Sequence, residues 1–278
     1  MKYNNETLGA LALIFAGVFL SFGGVIIRFM ESSSAWQITG YRSITFSLAI
    51  LLYILIKYKK DTPHAFKKIG HSGILIALIL GFSNTCFVWG MSTTTVSNAV
   101  FIMSTGPLFA AICSYFFLKR KIGKKTFIAI AGSMFGITIM FSGGMESSNY
   151  IGNIIILGVP IGFAFQLTLL NYNSHIDFMP ATFLGGVFSS LIGFIFMANL
   201  DISTHDLLLC LFMGAFQVGI GFMLITIGSR YIPPHRAALF LLMEPVLAPI
   251  WAFLGVGEIP GQTETVSYTH LRAHETES

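Results

Sequence analysis

Charged residues are scarce in this 278-residue chain, where Asp, Glu, Lys and Arg together make up 10% of the sequence. Soluble domains carry about 25% of these residues. Hydrophobic residues reach 54%, which is more apolar surface than a soluble core can bury. A water-soluble globular fold is therefore excluded, and lipid must surround much of the chain.

Cysteine is also scarce, and Cys86, Cys113 and Cys210 all lie inside apolar runs. Without a CxxC pair or a Cys/His cluster, the sequence indicates packing residues rather than a disulfide framework or a metal site. It also lacks HExxH, GxSxG and a phosphate-binding loop. The net charge of +4 comes from short Lys/Arg clusters between apolar runs, which are typical of cytoplasmic loops. We therefore predict no enzyme activity, no metal, no cofactor and no nucleic-acid partner.

Long apolar runs dominate the rest of the chain. A membrane-spanning helix needs about 20 such residues, and the sequence predicts an all-α multi-pass membrane protein without a soluble domain. The nine candidate spans cover residues 8–28, 36–56, 74–91, 97–118, 126–142, 152–171, 181–199, 207–228 and 237–256.

Basic residues concentrate in alternate loops, at 57–68, 119–125 and 230–236. The positive-inside rule then places the N-terminus in the cytoplasm. The loop between spans 6 and 7 fits least well, because it holds His175 and Asp177 but no Lys or Arg. Apart from Arg28, the opposite loops are acidic, with Glu31, Glu146, Asp201 and Asp206.

The chain also repeats itself. When Pro107 is set on Pro245, 138 positions later, 99–120 aligns with 237–258 without a gap. Span 4 then matches span 9, so each unit has five helices. Because five is odd, the second unit enters the membrane inverted, an arrangement that places a binding site near the midplane.

These units set the predicted domain boundaries at 1–144 and 145–261. The repeat predicts a tenth helix after span 9, but 262–278 carries Glu264, His270, Arg272 and further charged residues. A charge at the centre of a helix costs about 2.5–3.5 kcal/mol on insertion. We therefore expect nine of ten helices to be present, and we interpret 262–278 as a non-native tail.

Three motifs carry a resemblance to a known family. They are TGPLFAAICSYFF in span 4, MEPVLAPIWAFLGVGE in span 9, and Arg42 within YRS of span 2. Over 1–261 the chain resembles the EamA-type family of the drug/metabolite transporter superfamily. The resemblance implies ten helices and export or exchange of small metabolites or amino acids. Span 4 ends in Lys119-Arg120 where the family usually has Gly-Glu, which argues against a symmetric pair of terminal glutamates.

Ionisable residues inside a membrane are functional candidates. Glu244 lies about 10 Å into span 9, and the following Pro245 frees a backbone carbonyl. Glu244 is either a site for a proton or a substrate amine, or a carboxyl that only ties span 9 to a neighbour. Arg42 either faces the pathway or snorkels outward. Their depths differ by about 11 Å in a core about 30 Å thick, so we expect water or substrate between them.

The remaining pathway candidates are polar or aromatic residues within the spans. The amides are either helix contacts, worth about 0.6 kcal/mol per bond, or part of a polar pathway. These candidates are Asn84, Gln166 and Gln217, together with Trp89, Ser104 and Pro107.

The leading functional hypothesis is a secondary transporter in the cell membrane, working by alternating access on a small-molecule substrate. Proton coupling and a homodimer are left open. The alternatives are a membrane-embedded enzyme, which would need two converging catalytic side chains, and a non-functional truncated fragment.

Overall fold

Helices make up every regular element in the residues that the computed structural model describes, which are 2–94, 96–119, 123–141 and 150–257. The tail predicted at 262–278, as well as Lys121 and Glu146, lies outside these ranges. A 3-10 turn covers Lys59–Asp61 and a π-helical segment covers Met213–Val218. In chain order the helices are α1 (Lys2–Ser21), α2 (Gly23–Arg28), α3 (Ala35–Tyr58), α4 (Thr62–Lys68), α5 (Gly70–Thr93), α6 (Val96–Met103), α7 (Gly106–Leu118), α8 (Lys124–Phe141), α9 (Tyr150–Tyr172), α10 (Met179–Phe196), α11 (Thr204–Phe212), α12 (Gly219–Gly228), α13 (Pro234–Phe240) and α14 (Met243–Val256).

Within the described ranges, eight helical segments are long and apolar enough to cross a membrane. They fall on the predicted spans 1–4 and 6–9, and α8 occupies the range predicted for span 5. The predicted all-α multi-pass class is therefore confirmed, while the count of nine spans and the inverted arrangement stay predictions. The eight segments are Asn5–Arg28, Ala35–Lys68, Gly70–Thr93, Asn98–Leu118, Tyr150–Tyr172, Met179–Phe196, Thr204–Gly228 and Pro234–Val256.

Local sequence signals set the starts of several helices. Ser34 and Gln37 form a reciprocal capping box at the start of α3, with Ser34 N donating to Gln37 Oε1 at 2.8 Å. Ser203 accepts from Asp206 N at 3.1 Å and begins α11. Such caps satisfy backbone N–H groups that have no partner within the helix.

Small residues allow α10 to pack closely on α3. A Cβ added to Gly193 would lie 2.6 Å from the Gly40 Cα. Two hydroxyl contacts cross the same interface, between Ser43 Oγ and Ser189 Oγ at 3.0 Å and from Ser190 Oγ to Gly40 O at 3.1 Å. Four-residue spacing of small residues in α10 thus brings two backbones together, as it does in membrane helices generally.

Loops that meet at the C-terminal end of α3 are joined through Asp177. Its carboxylate accepts from Lys57 Nζ at 2.5 Å and Tyr58 Oη at 2.6 Å, and Arg230 Nη1 lies 4.0 Å away. Burial opposes ionisation, but bonds from Lys57, Tyr58 and the Met179 N–H outweigh it and hold the pKa of Asp177 below its ordinary value. The loop between predicted spans 6 and 7, which has no Lys or Arg of its own, therefore lies beside basic residues of the neighbouring loops.

Candidate functional site

Two helices are broken at nearly equivalent positions of the repeat. The first break separates α6 from α7 at Ser104–Thr105, and the second separates α13 from α14 at Leu241–Leu242. Pro107 and Pro245 each follow a break closely and cannot donate a backbone hydrogen bond. Interrupted helices of this kind expose backbone polar groups to a cavity inside a membrane protein.

A cavity lies where the two broken helices meet the rest of the bundle. It encloses about 790 Å³ of empty space, including open solvent at its mouth. Its wall is mostly apolar, with a few polar side chains contributed by α3, α5, the π-helical segment and α14.

The cavity wall contains six of the nine residues predicted from the sequence: Arg42, Asn84, Pro107, Gln217, Glu244 and Pro245. The other three do not line it. Trp89 packs against Trp36 with ring centroids 5.0 Å apart, and Ser104 Oγ donates to Phe101 O at 2.5 Å. Gln166 is fully buried within α9 and is not among the residues that line this cavity.

Arg42 is the most buried cation of the described residues, with 1% of its surface exposed. It therefore does not snorkel to an interface. Its Nη2 donates to both the backbone O and the side-chain Oδ1 of Asn84. The guanidinium carbon also lies 5.6 Å from the centroid of the Phe87 ring, within the range of a cation–π contact.

Glu244 lies in the first turn of α14, directly after the break. Its backbone N donates to Leu241 O at 3.0 Å, while no side-chain hydrogen bond or ion pair of Glu244 is found among the described residues. Glu244 and Arg42 thus line one cavity without forming a direct salt bridge. In the matching position of the first repeat stands Gly106, which also lines the cavity.

The π-helical segment positions Gln217 against α3 and α1. A Cβ on Gly214 would lie 2.7 Å from the Thr45 Cβ and 2.8 Å from the Phe46 N, so only a glycine lets this segment approach α3 so closely. Gln217 Nε2 then donates to Leu20 O at 2.8 Å. Single π-helical turns of this kind often occur at functional sites, but the apolar sequence 213–218 carried no signal for one.

The repeat reappears in the cavity wall as pairs of residues 138 positions apart. These pairs are Asn84 with Phe222, Met103 with Leu241, Gly106 with Glu244, and Pro107 with Pro245. Two of the four pairs combine a polar residue with an apolar one or with glycine. The two halves therefore contribute unequal chemistry to a shared cavity.

Aromatic rings form a part of the wall that was not predicted from the sequence. Phe87, Phe163 and Phe222 line the cavity, and the rings of Phe163 and Phe222 meet edge to face with centroids 5.7 Å apart. The sequence contains 27 phenylalanines, so ring count alone singles out none of them. The repeat offset from Asn84 was the one signal that could have indicated Phe222.

The chemistry available in the cavity is that of binding. Among the residues that the structure describes, only Arg42 and Glu244 contribute acidic or basic side chains to its wall. No group of three His, Cys, Asp or Glu side chains that could hold a metal occurs in the described part of the chain. An apolar cavity with a few convergent polar groups is typical of a small-molecule site.

The fold and the cavity define a multi-pass membrane protein with an internal cavity beside interrupted helices, an arrangement found in membrane transporters. The sequence model of the EamA-like transporter family matches residues 7–142 and 150–268. The chain belongs to this family, so it is a transporter of small molecules in the cell membrane and not an enzyme.

Known proteins agree with this assignment. The chain is 26% identical over 269 residues to the uncharacterized transporter YetK of Bacillus subtilis, covering 88% of this chain and 79% of YetK. It is 25% identical over 222 residues to an S-adenosylmethionine uptake transporter of Rickettsia bellii, covering 78% and 75% of the two chains. A crystal structure with 12% identity superposes with a TM-score of 0.69 over 91% of both chains, which supports the fold.

Proposed function

We propose that this chain is a secondary transporter that exports or exchanges small metabolites or amino acids by alternating access, with its N-terminus in the cytoplasm. Two observations support a construction from two repeats with boundaries at 1–144 and 145–261. The family matches fall into one segment per half, and both halves contain a broken helix beside the cavity. Because the first unit has five predicted helices, an odd number, the second unit enters the membrane inverted, and rocking one unit against the other exposes the cavity to alternate sides.

The observation that carries the proposal is the Glu244 carboxyl in the cavity wall. A charged carboxylate at the centre of a bilayer costs about 2.5–3.5 kcal/mol by insertion scales, and no described residue forms a side-chain hydrogen bond or ion pair with Glu244. A group in this situation can bind and release a proton as the cavity changes sides. Proton movement down its gradient would then drive cargo through the same cavity.

The test replaces Glu244 by Gln and measures flux driven by a pH gradient in proteoliposomes, across a panel of metabolites. Glu244→Gln keeps the size and polarity of the side chain but cannot exchange a proton. We expect it to abolish gradient-driven flux while the protein still folds, and Glu244→Asp to keep part of the flux. The matched control is Glu31→Gln at an exposed loop position, which should transport like the unchanged protein.

Undiminished gradient-driven flux by Glu244→Gln would contradict the proposal. An amide can replace a carboxyl in a contact between helices, but it cannot carry a proton. The fragment alternative has a separate test. If flux appears only after a tenth apolar helix replaces 262–278, the chain as given is a truncated transporter. A homodimer stays a prediction. Exchange, which moves cargo in both directions, is compatible with the uptake named for the Rickettsia bellii relative.

A further inference from the structure

Four polar atoms in the cavity wall are buried without a hydrogen-bond partner in the described part of the chain: Arg42 Nε, Ser83 Oγ, Asn84 Nδ2 and Gln217 Oε1. The four residues are only 1–5% exposed. Buried polar groups in native proteins are paired in the large majority of cases, and leaving one unpaired costs about 1–3 kcal/mol. Four such atoms on residues that line one cavity are suited to pair with a molecule that enters it.

The partners of the two amides decide which of their polar atoms remain unpaired. Arg42 Nη2 can only donate, so the Asn84 atom that it contacts is the oxygen, and the amide nitrogen Nδ2 remains as a donor. Leu20 O can only accept, so the Gln217 atom that it contacts is the nitrogen, and Oε1 remains as an acceptor. Residues that line the cavity thus hold unpaired donors at Arg42 and Asn84 and an unpaired acceptor at Gln217.

Aromatic rings stand beside this polar set. Phe87 lies under the Arg42 guanidinium, and the Phe163 and Phe222 rings meet edge to face in the same wall. Gln217 is close to Phe87, because a Cβ on Gly23 would lie 2.9 Å from Gln217 Nε2 and 3.1 Å from Phe87 Cζ. Flat aromatic bodies pack favourably against such rings.

We infer that the cargo is a flat nitrogen heterocycle with a carbonyl oxygen next to a ring N–H, as in a lactam. The carbonyl accepts from Arg42 and Asn84, the N–H donates to Gln217, and the ring packs against the phenylalanines. This inference rests on the proposed function, since it takes the cavity to be the cargo site. It leaves Glu244 for the proton, because a neutral lactam needs no counter-ion.

The lactam edge fits the unpaired atoms better than an amino-acid zwitterion does. One nitrogen of the Arg42 fork, Nη2, is already committed to Asn84. Nε of this guanidinium is buried and has no partner among the described residues. A zwitterion would instead use Arg42 for its carboxylate and Glu244 for its ammonium, so both ionisable residues would be taken up by the cargo.

The experiment measures equilibrium binding to the purified full chain in lipid nanodiscs, with empty nanodiscs as the blank. The probes are 2-quinolone, which carries the carbonyl beside an N–H, and coumarin, which has the same shape but a ring oxygen in place of the N–H. We expect 2-quinolone to bind at least tenfold more tightly, since coumarin leaves Gln217 Oε1 unpaired. Gln217→Met should remove this preference.

Gln166→Met is the matched control, because Gln166 is also a buried glutamine without a described partner but lies outside the cavity. It should keep the tenfold preference, and size-exclusion profiles of both variants check that they fold. Equal binding of 2-quinolone and coumarin would overturn the inference, as would loss of the preference in Gln166→Met alone. Binding of phenylalanine but of neither probe would favour the zwitterion instead.

The two proposals fail separately. If pH-driven flux of other cargo depends on Glu244 while 2-quinolone does not bind, the lactam inference is wrong and the proposed function stands. If 2-quinolone binds with the expected preference but no pH gradient moves it, the cavity is the predicted binding site and the proton-coupled mechanism is wrong.

Discussion

Replacing Asp206 by Ala should release the loop between α2 and α3. The Asp206 side chain is fully buried at the start of α11. It accepts from Glu31 N and Ser32 N, both at 3.1 Å, from Ser32 Oγ at 3.2 Å and from Ser33 Oγ at 2.7 Å. Removing the carboxylate leaves all four of these donors without their acceptor.

The magnitude follows from the number and type of these bonds. A hydrogen bond to a charged group contributes about 1.5–3 kcal/mol, but bonds in one network are not additive. Glu31 and Ser32 are exposed, so water replaces part of what the loop loses. We therefore expect Asp206→Ala to lower the free energy of unfolding by about 3–5 kcal/mol. Asp206→Asn should lose less, because one acceptor oxygen remains.

The assay is thermal unfolding of the purified protein in detergent, followed by the loss of the monodisperse size-exclusion peak. A change of this size should lower the midpoint by about 10 °C. Asp201→Ala is the matched control, because Asp201 is exposed and its backbone carbonyl, not its side chain, accepts from Gln37 Nε2 at 2.7 Å. The reasoning is refuted if Asp206→Ala and Asp201→Ala unfold at the same temperature.

Three further predictions concern packing, pH and topology. Gly193→Ala should cost about 1–3 kcal/mol in unfolding free energy by forcing α10 away from α3, whereas Gly132→Ala, with no atom within 4 Å of the added Cβ, should not destabilise; equal losses would contradict this. The fold lowers the pKa of Asp177 from about 3.9 in an unfolded chain, so its contribution to stability is complete above about pH 4 and is lost as the pH falls. The acid-unfolding profile of Asp177→Asn should therefore lack this loss of stability. A profile that matches that of the unchanged protein would show that Asp177 does not cause the loss. An impermeant thiol reagent on intact cells should label a cysteine introduced at Asp201 but not one introduced at Lys59. The three native cysteines are buried and should give little background labelling. Labelling at Lys59 from outside would contradict the proposed orientation.

The sequence by itself was sufficient for the class of fold and for much of the site. Apolar runs of about 20 residues can be satisfied only as helices in lipid. The alignment of Pro107 with Pro245 identified two matching segments, and in the structure each of these prolines lies just after a break in its helix. Arg42 and Glu244 stood out because charge inside a span is costly, and both line the cavity.

Which side chains face one another was decided only by the tertiary structure. In a membrane helix, lipid and protein interior are both apolar, so the hydrophobic pattern gives little information about which face points inward. For this reason Gln166 and Gln217 were equivalent in the sequence, although only Gln217 lines the cavity. The π-helical segment and the Asp177 contacts likewise depend on how closely distant helices approach, which composition and periodicity do not encode.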